Sequence, residues 1–185
     1  MQLGRTGGFA LGAAALGFIA GAIAISPARK LAMQGTEAMI GGDWFDTLKA
    51  EHKVVEKLFD LLFQTDETDV KKRQGLLTKI AYNLNKHAVQ EENVVYPALR
   101  RVDEAQAKHL VSDHGDIKAT LADLQYNLPK DSPQWIAAAR ALWSTIQQHV
   151  REEEDEIYPS MRERMSEEDN ASLTKRMHWE GIKIA

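Results

Sequence analysis

The sequence predicts an all-α fold: an up-down-up-down four-helix bundle with an N-terminal apolar helix before it and a short C-terminal helix after it. Three observations lead to this prediction. Apolar residues recur in alternating steps of three and four over four segments of similar length, which is the period of an amphipathic helix. Short polar turns join these segments, as in an antiparallel bundle. No segment of useful length alternates apolar and polar residues as a strand would.

Turn and cap residues mark the ends of the predicted helices. Asp43 follows two glycines and is a candidate N-cap for the first helix. The polar stretch 64–69 ends the first helix, and Pro97 ends or kinks the second. The sequence PKDSP at 129–133 separates the third helix from the fourth. The sequence SEED at 166–169 is typical of a capping box, which predicts that a short final helix starts there.

The first part of the chain differs in composition from the rest. The stretch from Gly8 to Ile25 holds only Gly, Ala and large apolar residues, and as a helix it would be about 27 Å long, close to the hydrocarbon core of a bilayer. We expect a single membrane-spanning anchor here, and a cleaved signal peptide is the alternative. Arg29 and Lys30 on one side against Arg5 on the other favour a cytoplasmic bundle, whereas cleavage near Ile25 would leave the bundle in the periplasm.

These features divide the chain into four parts. In chain order they are an apolar helix at 1–28, a linker at 29–42, the bundle at 43–165, and a short helix with a tail at 166–185. The net charge of −4 argues against a nucleic-acid-binding surface, which needs a clustered basic face. The absence of Cys excludes disulfides, iron–sulfur clusters and thiolate zinc sites.

The sequence of the bundle contains an internal repeat. KHAVQEENVVYP at 86–97 and QHVREEEDEIYP at 148–159 share a His, a Glu four residues later, and a Tyr-Pro pair. A shift of 62 residues carries the first phrase onto the second, and the same shift carries His52 onto His114. The bundle is therefore predicted to consist of two helical hairpins of one design, related by a pseudo-twofold axis.

Each predicted helix has one His in the middle of its apolar stripe, and two helices add a Glu one turn later. Side chains at i and i+4 lie on the same face of a helix, so each Glu points into the bundle with its His. A carboxylate in an apolar core is costly unless it is paired or bound to a metal. One such His-Glu pair alone is typical of a surface hydrogen bond, and one core His alone is typical of a satisfied polar group. The repetition at equal spacings instead favours a two-metal site formed by His52, His87, Glu91, His114, His149 and Glu153.

This order of motifs, His, His-x-x-x-Glu, His, His-x-x-x-Glu on four helices, resembles the hemerythrin family, whose bacterial form is the HHE cation-binding domain. The resemblance covers about Asp43 to Met165 and implies a non-heme di-iron centre inside a four-helix bundle. It assigns His52 and His87 to one iron, His114 and His149 to the other, and Glu91 and Glu153 to the bridge between them. It also implies binding of O2 or a related small oxidant. The ligand chemistry alone does not exclude Mn or Zn.

The sequence departs from the oxygen-carrying members at one position. Those members have a fifth His one turn after the third, where this chain has Lys118, a poor iron ligand because its amine would have to be deprotonated. The equivalent position in the first repeat is Glu56, on the same side of its helix as His52. We predict Glu56 as an additional ligand; a surface ion pair is the alternative. Fewer imidazoles weaken the case for reversible O2 carriage.

The sequence therefore predicts a membrane-tethered, di-iron protein that binds O2 or a related small oxidant in sensing or in redox and iron homeostasis, and that is not primarily an enzyme. One alternative is a di-iron enzyme acting on peroxide or nitric oxide, for which no electron-donor motif is visible. The other is a structural module whose folding follows iron supply. Tyr96 and Tyr158 are predicted to be packing residues whose hydroxyls could reach the ligands, and His109 is predicted to lie on the surface.

Overall fold

The computed structural model describes residues 42–184 of this chain. The predicted apolar helix at 1–28 and nearly all of the predicted linker at 29–42 lie outside these residues. Within 42–184, none of the helices combines the length and apolar character that a membrane span requires.

Five helical rods make up the described part of the chain, and no strand occurs between residues 42 and 184, which confirms the all-α bundle. Three of the rods change locally from α-helix to the wider π-helix. The segments are α1 (Trp44–Phe63), α2 (Val70–Gln90), π1 (Glu91–Val95), α3 (Tyr96–Leu99), α4 (Glu104–Ala122), π2 (Asp123–Asn127), α5 (Pro133–Arg151), π3 (Glu152–Ile157), α6 (Tyr158–Arg164) and α7 (Glu167–Ile184). The hairpins α1–α2 and α4–α5 are the two repeats of the bundle.

Side-chain caps fix the start of several helices as the sequence predicts. Asp43 accepts hydrogen bonds from the backbone N–H groups of Phe45 and Asp46 at 3.0 and 3.2 Å, which confirms it as the N-cap of α1. Ser132 caps α5 by accepting from Trp135 N at 3.1 Å. These caps satisfy amide groups that have no partner inside the helix.

The C-terminal helix begins where the capping box predicts, but it is not short. Ser166 Oγ accepts from Asp169 N at 3.1 Å, and α7 then runs for 18 residues, almost as long as the 19 residues of α4. It continues because no proline interrupts it and because Leu173 and Met177, one turn apart, are buried against the bundle. The bundle therefore has a fifth, full-length helix across one end.

The core is split into two apolar clusters. One lies towards the N-terminal end of α1 and includes Trp44, Leu48, Leu110 and the side chains from α7. The other, around Phe59, fills the opposite half of the bundle. On every bundle helix the metal-site His lies between residues of the two clusters, so a polar layer crosses the bundle between them.

Two of the π segments occupy equivalent places in the two repeats. Tyr96 N donates to Glu91 O and Tyr158 N donates to Glu153 O, the five-residue hydrogen bond of a π turn. Of the two outcomes predicted for Pro97, an end to the second helix does not occur, because the helix continues through α3 to Leu99. Pro97 lies in the first turn of α3, directly after the π segment.

Candidate metal centre

Six buried side chains meet in the polar layer and form two overlapping groups. One group is His52, His87, Glu91 and Glu153, and the other is Glu91, His114, His149 and Glu153. Within each group one nitrogen or oxygen atom per residue lies within 4.8 Å of all the others. Both carboxylates are fully buried, at 0 % exposure. The structure thus brings together all six residues of the predicted two-metal site.

The imidazoles face each other in pairs through their Nε2 atoms. His52 Nε2 lies 2.9 Å from His87 Nε2, and His114 Nε2 lies 3.1 Å from His149 Nε2. The pairs are the ones that the sequence assigns to the two metals.

Both carboxylates reach both pairs. Glu153 directs Oε2 to His52 Nε2 at 3.5 Å and Oε1 to His149 Nε2 at 3.3 Å. Glu91 Oε2 lies 3.1 Å from His87 Nε2 and 3.3 Å from His114 Nε2. This is the arrangement that a carboxylate shared by two metals needs.

The outward Nδ1 atom of each imidazole has a carboxylate partner, which sequence reasoning missed. The four contacts are His52 with Glu154 at 2.7 Å, His87 with Glu51 at 3.0 Å, His114 with Glu92 at 2.8 Å, and His149 with Asp113 at 3.4 Å. An Nδ1–H donated to a carboxylate leaves the Nε2 lone pair directed inward, as metal-ligating histidines require. The partners obey the same 62-residue shift, which is the signal that could have found them.

The electrostatics of the layer fit a bound cation. Glu153 Oε2 is buried and has no hydrogen-bond partner among the described residues, although such a group is normally satisfied. Burial opposes the imidazolium form, yet Glu153 raises the pKa of His149 to about 9. Burial likewise opposes ionisation of Glu91, yet His87 holds the pKa of Glu91 well below its usual range. Protons therefore balance the carboxylates when no metal is bound, and a cation would displace them.

The two tyrosines that follow the ligand turns are part of the layer and not only packing residues. Tyr158 Oη donates to Glu91 Oε1 at 2.5 Å or Glu153 Oε1 at 2.7 Å. Tyr96 Oη lies 2.9 Å from Glu153 Oε1 and 3.1 Å from His114 Nε2. Burial, and then the two carboxylates, raise the pKa of both phenols well above its usual value.

The remaining predicted positions lie outside the two groups. Glu56 is exposed on α1 and belongs to neither group. Lys118 donates to Glu92, the carboxylate that also holds His114 Nδ1, so its ammonium is used outside the ligand set. His109 is exposed, as predicted, and lies 2.8 Å from Glu152.

A cavity of about 240 Å³ lies beside the polar layer. All four histidines line it together with apolar side chains such as Ile117, Leu121 and Ile146. The exposed side chains Lys53 and Glu56 also contribute to its wall, which places that part of the cavity towards solvent. The cavity gives small molecules a mostly apolar space next to both histidine pairs.

Comparison with known proteins identifies relatives of the bundle. The family model described as the hemerythrin HHE cation binding domain matches residues 44–161. The chain is similar to a DNA nickase of Nostoc sp. strain PCC 7120, with 29 % identity over 124 residues, 66 % of this chain and 34 % of that protein. It is also similar to an uncharacterised hemerythrin-like protein of Schizosaccharomyces pombe, with 23 % identity over 132 residues, 69 % of this chain and 64 % of the other. The chain thus spans less than two thirds of each of these relatives.

A solved structure has the same fold. The crystal structure of a hemerythrin HHE cation binding domain-containing protein of Mycobacterium kansasii superimposes with a TM-score of 0.68 and 19 % identity, covering 77 % of this chain and 87 % of that one. At this identity the likeness concerns the fold.

Proposed function

This chain belongs to the hemerythrin family of HHE cation-binding domains, and from that premise we propose that its buried cluster is a di-iron centre that binds O2 or a related small oxidant in sensing or in redox and iron homeostasis. The observation that carries the proposal is the pair of carboxylates, Glu91 and Glu153, each within 3.5 Å of a nitrogen from both histidine pairs.

The proposed ligands follow from the two groups. His52 and His87 would hold one iron and His114 and His149 the other, with the two glutamates shared between them. Bound iron supplies reversible electron exchange with a small oxidant. Imidazole and carboxylate donors also suit Mn and Zn, so the choice of iron rests on the family.

The residues of this chain would control access and charge around that centre. Apolar side chains form much of the cavity wall, which suits small uncharged molecules. The carboxylates on the Nδ1 atoms keep the imidazole rings oriented and raise their basicity as ligands. The tyrosine hydroxyls hold Glu91 and Glu153 in place on the side opposite the cavity, which neither tyrosine lines.

The ligand set favours sensing or redox chemistry over oxygen carriage. Lys118 is bonded to Glu92 and adds no imidazole to the centre. With fewer imidazoles than the oxygen-carrying members, a larger share of the donors would be carboxylates, which would stabilise the ferric state and ease autoxidation. Reversible carriage needs the opposite property.

A di-iron enzyme acting on peroxide or nitric oxide is the second candidate. The cavity of about 240 Å³ next to all four histidines leaves room for a small substrate such as peroxide or nitric oxide. We do not extend the DNA-nicking activity named for the Nostoc relative to this chain, which covers 34 % of that protein and has a net charge of −4.

One experiment tests the proposal. Full-length protein purified in air should contain about two irons per chain, and its absorption spectrum should change on reduction and again on exposure to O2. Protein that contains zinc or no metal would contradict the proposal. A spectrum that does not change on reduction and on exposure to O2 would also contradict it. Turnover of peroxide over many equivalents per site would select the enzyme alternative. Membrane fractionation of cells that express the same chain tests the predicted anchor at 1–28, and protease added to intact spheroplasts tests the predicted cytoplasmic orientation.

A further inference from the structure

We infer that Tyr96 is an additional ligand, through its phenolate oxygen, to the metal held by His114 and His149. The inference rests on the proposed di-iron centre. It adds a fifth protein donor to one of the two metals, and it leaves the other metal with the donors already described.

Distances around Tyr96 Oη carry the inference. This oxygen lies 3.1 Å from His114 Nε2, 2.9 Å from Glu153 Oε1 and 3.4 Å from Glu91 Oε2. All three atoms belong to residues of the second group. Bonds of about 2.1 Å to a six-coordinate metal place donors on neighbouring corners of the octahedron about 3 Å apart. Tyr96 Oη therefore stands where a further donor to the same ion would stand.

Tyr158 is the equivalent residue of the other repeat, and its hydroxyl is placed differently. Its two hydrogen bonds among the described residues go to Glu91 Oε1 and Glu153 Oε1, and none goes to an imidazole. Glu91 faces the histidines with its other oxygen, Oε2. Tyr158 is thus a positioning residue for the carboxylates, whereas Tyr96 also reaches an imidazole.

The position one turn after His114 gives the second metal no further donor. Lys118 occupies the position one turn after His114, and its ammonium is bonded to Glu92. The ring of Tyr96 instead packs against the ring of His114, with centroids 5.2 Å apart. A phenolate from a different helix can thus complete the coordination that the third His-bearing helix does not.

Coordination of Tyr96 requires only that its phenol lose a proton. Without a metal the phenol of Tyr96 keeps its proton and donates a hydrogen bond to Glu153. A divalent or trivalent cation reverses this preference, because it stabilises a coordinated anion. The O–H bond breaks, an oxygen–metal bond forms, and the proton leaves to solvent with no change in oxidation state. An anionic oxygen ligand favours ferric over ferrous iron.

The test is spectroscopic and uses the full-length chain loaded with iron and oxidised. Ferric iron bound to tyrosinate has a visible charge-transfer band and enhanced tyrosine ring vibrations in resonance Raman spectra. We expect both signals in the wild type and in Tyr126→Phe, a control at an exposed tyrosine of π2, and neither in Tyr96→Phe with its iron retained. Persistence of the signals in Tyr96→Phe, or their absence from iron-loaded wild type, would overturn the inference.

A second measurement avoids the risk that a variant loses iron or fails to fold. Wild-type protein grown with ring-deuterated tyrosine should show the enhanced Raman bands shifted to lower frequency, and unshifted bands would overturn the inference. Iron analysis of the same sample tests the di-iron centre separately from the ligand role of Tyr96. Wild type without iron refutes the di-iron centre itself, whereas two irons without a tyrosinate signal refute only the ligand role of Tyr96.

Discussion

His114 Nε2 and His149 Nε2 lie 3.1 Å apart, although the two side chains come from different helices and are both buried. Two unprotonated nitrogens at this distance repel each other, so one must carry a proton unless a cation lies between them. The metal-free protein and the loaded protein should consequently respond to pH in opposite ways.

The metal-free bundle should lose stability as the pH rises from 6.5 towards 9. The folded state raises the pKa of His149 from 6.5 to about 9, so its stabilising contribution is complete below pH 6.5 and is lost as the pH rises through 9. Burial lowers the pKa of Lys86 to about 8, so above pH 8 the contribution of Lys86 to stability increases with pH, opposite to that of His149. The window to measure is thus pH 6.5 to 8, by urea midpoints of chelator-treated protein.

Iron-loaded protein is the control for that measurement. Ligation requires neutral imidazoles, so its midpoint should hold or rise over the same range. A midpoint of the metal-free protein that rises with pH would show that the buried histidines are neutral without metal.

Replacing Glu153 by Gln should remove both metals and not only one. Its two oxygens face different histidine pairs, so the change weakens both groups together. Iron per chain is expected to fall from about two towards zero, while Glu156→Gln, an exposed position in the same π segment, should keep both. Glu91→Gln should behave like Glu153→Gln, and His52→Ala should affect mainly one metal. Two retained irons in either glutamate variant would refute the shared role.

Removing an outer carboxylate should weaken metal binding without abolishing it. Glu154 accepts from His52 Nδ1 at 2.7 Å, and partners of this kind typically contribute a factor of about 10 to 100 in metal affinity. Competition with a chelator should show this loss in Glu154→Ala. The neighbouring exposed residue gives the comparison, since Asp155→Ala should bind as the wild type does.

Glu56→Ala tests the remaining ligand prediction from the sequence. Glu56 is exposed and lies outside both groups, so we expect unchanged iron content and an unchanged spectrum. Loss of iron, or a shifted spectrum, would instead establish Glu56 as a ligand that turns inward when the metal binds.

The six central residues could be predicted because the four histidines lie on the inner stripes of ordinary α-helices, and Glu91 and Glu153 come near the start of π1 and π3. The helical period of three and four residues is sufficient to place His87 on the same face as Glu91, and His149 on the same face as Glu153. The internal repeat then predicts that the two hairpins meet at these faces. The outer carboxylates could not be found from a single helix. Glu154 and Glu92 reach imidazoles of the other hairpin, so their roles depend on packing and not on local period.

The sequence predicts mainly a packing role for the tyrosines because it does not reveal the π turns that precede them. Five positions along an α-helix correspond to about 140° around its axis, which would turn Tyr96 away from Glu91. The π turn makes residue i+5 the neighbour one turn on, so Tyr96 and Tyr158 face the carboxylates. Apolar periodicity does not reveal one extra residue in a turn, although a π turn beside a ligand is typical of functional sites.

The position of α7 has a consequence for how the protein is made. Trp44 N donates to Thr174 Oγ1 across 130 positions of sequence, and Trp44 Nε1 donates to Asn170. A ribosome releases the chain from its N-terminus, so this contact forms only after residue 174 has left the ribosome. The end of the bundle that holds the tyrosines therefore stays open until the last helix docks. Iron present during translation can meet Glu91 and Glu153 before that end is sealed.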